Sequence, residues 1–243
     1  QNKYPLWQTV IETAYGLLSI FLLLSLGPVF RENRGVQLNA LRTLIVPFGV
    51  AFSLYCITPV AGPHYVFGDA YPYAVDWSMI ADKGRNLVSP SLRNGMPSMH
   101  FTGAMLIVFV AACLSRKIYF YTALFFAAVT FIATMALGEH YLLDLIVAMP
   151  FCIALGSALI NPPGWQFWRR RGWWACTLLF AAWELSLHFD TTRFFLIDHL
   201  NVVRLFSLAS VAAAVWGFSA FLRVVWKLPA PTEEQWRASL EAE

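Results

Sequence analysis

The sequence predicts an all-α membrane protein, a polytopic helix bundle of six or seven spans within a single domain, residues 1–243. Three observations predict this fold class. Charged residues make up only 13% of the 243 residues, whereas a soluble domain carries about 25%. Hydrophobic residues make up 58%, and the mean hydropathy is +0.58. The apolar residues are grouped in stretches near the ~20 residues that a spanning helix needs. This composition excludes an ordinary soluble enzyme, a disordered chain and a nucleic-acid-binding module.

Seven apolar stretches are predicted to form the helices. The sixth is the weakest because it is short and contains Glu184, which leaves both six and seven spans open. In chain order the stretches run from Val10 to Phe30, Leu41 to Pro59, Ser98 to Leu114, Ile118 to Leu137, Leu142 to Ile160, Trp173 to Leu187 and Val202 to Trp226.

The basic residues predict the orientation, because cytoplasmic loops carry an excess of Lys and Arg. If the loop after the first stretch is cytoplasmic, eleven of the 17 basic residues lie inside and six outside. We therefore expect an external N-terminus, an outer loop over residues 60–97 and a cytoplasmic tail over residues 227–243. The outer loop is long and aromatic, which is typical of a functional segment at the headgroup level.

The first chemical motif is the segment GMPSMH, from Gly95 to His100. Pro97 suits the first turn of a helix, and Ser98 can cap free amides or hold an anion. His100 is therefore expected in the first turn of the third span, at its outer end. The alternative is a helix cap followed by an interfacial histidine.

The second motif is the segment GEHYLLD, from Gly138 to Asp144, at the start of the fifth span. Asp144 is expected about one turn inside the apolar zone, where an unpaired carboxylate is costly. His140 lies four residues earlier and would share a helix face with it. A carboxylate bonded to one ring nitrogen leaves the other as a nucleophile or base. The alternative is a structural His–Asp pair.

Together the motifs predict a site for a lipid-borne phosphate at the outer side of the membrane. Both lie at helix N-termini, which favour anions, and the outer loop adds Lys83, Arg85 and Arg93. A divalent metal held by His100, Glu139, His140 and Asp144 is the alternative. No metal-binding spacing supports it, so we expect neither a metal nor another cofactor. The last outer loop contains a further cluster of polar residues, His188, Asp190, Arg193, Asp198 and His199. We expect this loop to be solvated; the alternative is a rim that contacts the lipid headgroup.

The pattern P-S-x-H followed some forty residues later by H-Y-x-x-D resembles the type-2 phosphatidic acid phosphatase superfamily. The resemblance covers Tyr55 to Ala148. Members of that superfamily are membrane enzymes that hydrolyse or transfer lipid phosphates through a phosphohistidine, without metal. The stretch YCITPVAGPHY, from Tyr55 to Tyr65, looks like the branch that contains inositol phosphorylceramide synthases and their bacterial relatives.

The resemblance implies a role for each motif residue, with a catalytic core formed by the third to fifth spans. His140 matches the nucleophile, Asp144 the carboxylate that orients it, and His100 the general acid. Ser98 and the adjacent backbone amides, including that of Met99, match a phosphate cradle.

Three customary cationic phosphate ligands of the family are missing. Tyr55 and Gly62 occupy the positions of a Lys and an Arg before the first motif, and Thr134 occupies that of an Arg six residues before the nucleophile. We expect the phosphate to be bound instead by Tyr55 and by basic residues of the outer loop: His64, Lys83, Arg85 and Arg93.

The sequence thus predicts a lipid phosphatase or phosphotransferase acting on a phospholipid, polyprenyl or sphingolipid phosphate. It would be a multi-pass protein of the plasma membrane with its site on the non-cytoplasmic side and no nucleic-acid partner; its oligomeric state is not predicted. The alternative is a non-catalytic protein that binds or transports lipid phosphates. A transporter would more often place its polar residues near the middle of the bilayer, and here they lie at the outer helix ends.

Overall fold

The structure, a computed structural model, describes residues 6–32, 34–57, 63, 96–114, 116–160 and 166–226. Within these ranges the chain is all-helical, with nine helices and no strand, so the all-α class is confirmed. The helices are α1 (Leu6–Gly16), α2 (Leu18–Val29), α3 (Arg34–Ile57), α4 (Met99–Cys113), α5 (Lys117–Ala136), α6 (Leu142–Leu159), α7 (Gln166–His188), α8 (Asp190–Asp198) and α9 (Leu200–Val225).

Several helices are those of a membrane protein. In the described part of the chain, α3, α5 and α9 are each long and apolar enough to cross a membrane. α1 and α2 make a fourth candidate span together, bent by 51° at their junction. α4 and the Leu142–Gly156 part of α6 are apolar but shorter. The number of spans, six or seven, stays a prediction.

Two connections differ from the sequence-based expectation. The first predicted span is broken after Gly16, a residue type that weakens helices. The second difference is that residues 190–198, predicted to lie in the last outer loop, form the helix α8. The hydroxyl of Thr192 donates to the carbonyls of Ser186 and Phe189 at 2.8 and 2.9 Å. It thereby satisfies acceptors at the end of α7 that would otherwise need solvent.

α4 forms the centre of the bundle, packed against α3, α5 and α6. It is apolar on all sides, as expected of a helix with no solvent-facing surface. Leu106, Ile107, Val108 and Phe109 are at most 1% exposed. Such a helix has a fixed position, so a side chain at its first turn is held in place.

An ion pair lies at one end of the bundle, and the two sequence motifs lie at the other. At one end, Arg116 before α5 forms an ion pair with Glu32 after α2, with 2.7 Å between Nη2 and Oε1. The N-termini of α4 and α6 lie at the opposite end. There, Leu196 of α8 packs in one cluster with Met96, Val147 and Trp183. α8 therefore lies at the end that carries the two sequence motifs.

Candidate active site

The first motif forms the capped start of α4. Ser98 is the N-cap, and its Oγ accepts from the backbone N–H of Phe101 at 3.4 Å; the predicted cap is confirmed. Tyr55 of α3 supports the same segment. Its hydroxyl donates to the carbonyl of Pro97 at 2.7 Å and accepts from the N–H of Met99 at 3.1 Å. His100 follows in the first helical turn.

The second motif begins as a tight turn after α5. Gly138 has a φ of 72°, a left-handed conformation that glycine adopts without steric cost. The N–H groups of Glu139 and His140 both donate to the carbonyl of Thr134, at 3.1 and 3.3 Å. These two bonds fix the backbone on which the imidazole of His140 is mounted.

Thr134 occupies the position at which the family resemblance implies an arginine. Its side chain is fully buried, and its hydroxyl donates to the carbonyls of Thr130 and Phe131 within its own helix. The residue therefore contributes a backbone acceptor to the turn rather than a positive charge.

Asp144 ties the turn to the first turn of α6. Its Oδ2 lies 3.2 Å from Nδ1 of His140 and accepts from the N–H of Tyr141 at 3.0 Å. His140 and Asp144 are each only 2% exposed. The expectation that both lie on one helix is wrong, since α6 begins at Leu142. The pair forms because the carboxylate reaches back past the helix start. It leaves Nε2 of His140 as the remaining ring nitrogen.

The two motifs meet directly. The N–H of Ser98 donates to the backbone carbonyl of Asp144 at 3.3 Å. The ring centroids of His100 and His140 are 6.2 Å apart, with the planes at 62°. A phosphorus atom at attack distance from one ring nitrogen, about 3–3.5 Å, would therefore lie beside the other ring.

Tyr15 is a member of this site that sequence reasoning missed. Its hydroxyl lies 3.1 Å from Nδ1 of His100, and the two ring centroids are 4.5 Å apart. The two residues are 85 positions apart in sequence. One signal was available: Gln8, Glu12 and Tyr15 are spaced as neighbours on one helix face at the N-terminal end of the first predicted span.

The other predicted residues lie elsewhere. His64, Lys83, Arg85 and Arg93 are outside the described residues, and their role stays a prediction. In the α7–α8 region, His188, Arg193, Asp198 and His199 are exposed. Nδ1 of His199 bonds the carbonyl of Phe195 within its own segment. Within the described ranges, no group of three or more His, Cys, Asp or Glu side chains is arranged to hold a metal ion.

Comparison with known proteins gives one match. A family model described as the PAP2 superfamily matches residues 1–160, which is 160 of the 243 residues. The matched part extends through α6 and contains Tyr15, Tyr55, His100, His140 and Asp144. The curated proteins give no match, and neither do the solved structures.

Proposed function

We propose that this chain, which belongs to the PAP2 superfamily, cleaves a lipid-linked phosphate ester or diphosphate through a phosphohistidine. The superfamily is one of phosphatases, and the helices of this chain are those of a membrane protein. The observation that carries the proposal is the buried His140–Asp144 pair beside His100. A nucleophile needs a free nitrogen, an orienting partner and a nearby acid, and this arrangement supplies candidates for all three.

In the first step, Nε2 of His140 attacks phosphorus while the bond to the leaving oxygen breaks. His100 gives a proton to that oxygen, so that it departs as an alcohol or as a protonated phosphate. Asp144 holds the Nδ1–H side of His140 and stabilises the positive charge that develops on the ring.

Binding of the phosphate is assigned to the start of α4 and to the outer loop. Ser98 and the backbone at Met99 would form the cradle, with His64, Lys83, Arg85 and Arg93 as the cationic groups that stabilise the equatorial oxygens. The hydroxyl of Tyr55 already donates its proton to Pro97. We therefore assign Tyr55 to shaping this cradle in the position where relatives carry a lysine.

In the second step, water or an alcohol headgroup attacks the phosphohistidine, and His100 accepts its proton. Water would make the protein a phosphatase, and an alcohol would make it a phosphotransferase. The resemblance of the Tyr55–Tyr65 stretch to inositol phosphorylceramide synthases favours transfer. The distribution of basic residues favours a site on the external face of the plasma membrane.

The test is to trap the covalent intermediate. Purified protein in chelator is given a radiolabelled phospholipid, polyprenyl or sphingolipid phosphate, quenched in base, and examined for acid-labile phosphate on the chain. We expect label on the wild type, none on His140→Ala, and turnover reduced by about 10²–10⁴-fold in His100→Ala. His199→Ala, an exposed histidine on the same end of the bundle, is the matched control and should behave as the wild type.

Three results would contradict the proposal. Label on His140→Ala would remove His140 as the nucleophile. Binding of the lipid with neither turnover nor label in any condition would favour a non-catalytic binding or transport protein. Loss of activity in chelator, restored by added magnesium or zinc, would favour the metal-dependent alternative.

A further inference from the structure

We propose that Tyr15 is a positioning residue that selects which nitrogen of His100 exchanges the proton; this inference rests on the proposed function. The hydroxyl of Tyr15 lies 3.1 Å from Nδ1 of His100. The two rings also contact each other, with centroids 4.5 Å apart and planes at 32°. The hydrogen bond fixes the direction of the imidazole and the ring contact fixes its tilt, so Nε2 is the nitrogen left for the substrate.

The proton count through one reaction cycle fits this assignment. Protonated His100 donates Nδ1–H to the phenol oxygen and carries its second proton on Nε2. As the P–O bond breaks, its electron pair takes the Nε2 proton, and His100 becomes neutral with hydrogen on Nδ1. The free Nε2 lone pair then accepts the proton of the attacking water or alcohol. In the opposite tautomer the phenol O–H donates to Nδ1, so Tyr15 can bond the ring in every state.

The partners of the two histidines differ in charge, which supports different roles. His140 bonds a carboxylate, which places negative charge beside the ring that would carry the phosphoryl group. His100 bonds a neutral phenol, which orients the ring without adding charge. A ring held in this way can release its proton to a leaving oxygen more readily than one paired with a carboxylate.

The position of Tyr15 is fixed by packing on both sides of the α1–α2 junction. After the junction, in α2, Leu18 is buried and the ring of Phe21 stacks on that of Phe126 in α5, with centroids 3.8 Å apart. Before the junction, in α1, Gln8 is buried and its Nε2 donates to the carboxylate of Glu12 at 2.8 Å. One face of α1 is polar and carries Gln8, Glu12 and Tyr15. The last of these residues, Tyr15, contacts His100 of α4.

The test uses Tyr15→Phe, which keeps the ring contact and removes the hydroxyl. The readout is the single-turnover rate of phosphohistidine formation, because His100 also serves the second step. For a lipid phosphate with an alkyl leaving group, we expect this rate to fall by about 3- to 10-fold, the effect of one ordinary hydrogen bond. For a nitrophenyl phosphate ester, whose leaving group departs without a proton, the loss in this rate should disappear. Tyr119→Phe is the matched control. It removes a hydroxyl that lies away from the site and donates to the carbonyl of Ser25, with 2.6 Å between the two oxygens. This variant should change the rates for the two substrates by the same factor.

A double-mutant cycle completes the test. In a His100→Ala background, Tyr15→Phe should have no further effect on turnover of the alkyl substrate. Equal loss on both substrates, or a further loss in the His100→Ala background, would show a merely structural role and overturn the inference. An unaltered rate in His100→Ala itself would instead overturn the acid assignment of the proposed function, and the role of Tyr15 with it.

Discussion

At the residue scale, the site consists of two histidines with different partners. His140 is held by the carboxylate of Asp144 and by the backbone of Thr134, while His100 is held by the phenol of Tyr15. One oxygen of Asp144 serves both the imidazole and the N–H of Tyr141. The same carboxylate therefore starts α6 and orients the proposed nucleophile.

Asp144→Asn separates these two duties. The amide oxygen of Asn can still accept from Tyr141, so we expect α6 to start normally and the thermal unfolding temperature to change little. The negative charge beside His140 is lost, so the positive charge that develops on the ring during attack is no longer stabilised. In a serine protease triad the same substitution lowers kcat by about 10⁴, and we expect a loss approaching that size here.

The measurement is single-turnover formation of the phosphohistidine, compared with Asp198→Asn on α8, where the acid is exposed. Normal formation of the intermediate in Asp144→Asn would mean that the His140–Asp144 pair is structural only. A wholly unfolded variant would mean that the carboxylate is needed mainly to start α6.

Which contacts of the site can be predicted from the sequence depends on how far apart the two residues are along the chain. The Ser98 cap and the pairing of His140 with Asp144 come from residues three and four positions apart, and local spacing predicts them. The contacts of Tyr15 with His100 and of Tyr55 with Met99 span 85 and 44 positions. Such contacts depend on how whole helices pack, and no pattern in one sequence specifies them.

At the element scale, apolar length predicts most of the helices. The predicted third and fifth spans start within one residue of α4 and α6. The break between α1 and α2 and the helix α8 were not predicted. Hydropathy continues across Gly16, so it does not show a bend, and α8 is a short helix with charged residues that resembles a loop in composition.

The crossing of α3 and α4 gives a prediction about packing. A Cβ added at Gly103 of α4 would lie 2.8 Å from Cζ of Phe48 in α3 and 3.7 Å from Cδ1 of Leu22 in α2. Because the half-buried ring of Phe48 would have to shift to make room for the added methyl group, we expect Gly103→Ala to destabilise the protein by about 1–3 kcal/mol. Thermal unfolding in detergent, followed by circular dichroism, measures this change.

Gly49→Ala is the matched control, since a Cβ at Gly49 of α3 has no neighbour within 4 Å. In an open helical position alanine is favoured over glycine by up to about 1 kcal/mol, so this variant should be unchanged or more stable. If Gly103→Ala unfolds at the same temperature as Gly49→Ala, the close approach of α3 and α4 is wrong.

At the scale of the whole molecule, the two motif histidines and the Glu32–Arg116 ion pair lie at opposite ends of the bundle. The Glu32–Arg116 ion pair joins the α2–α3 and α4–α5 connections, both predicted to be cytoplasmic from their basic residues. The two histidines lie at the other end, together with α8 through the cluster that contains Met96 and Leu196. The distribution of Lys and Arg among the loops predicts that these two ends lie on opposite sides of the membrane, because cytoplasmic loops carry an excess of basic residues.

The resulting prediction is that the end of the bundle that carries His100 and His140 faces outward. It is tested by single cysteines at Thr191 in α8 and at Lys117 at the start of α5, both exposed. The background lacks Cys56, Cys113, Cys152 and Cys176. In intact cells, an impermeant thiol reagent should label Thr191→Cys, because α8 lies at the end of the histidines. Lys117→Cys, next to the Glu32–Arg116 pair, should react only after the membrane is permeabilised. The opposite labelling pattern would place the His100–His140 site on the cytoplasmic face, where its substrate would have to be a lipid phosphate of the inner leaflet.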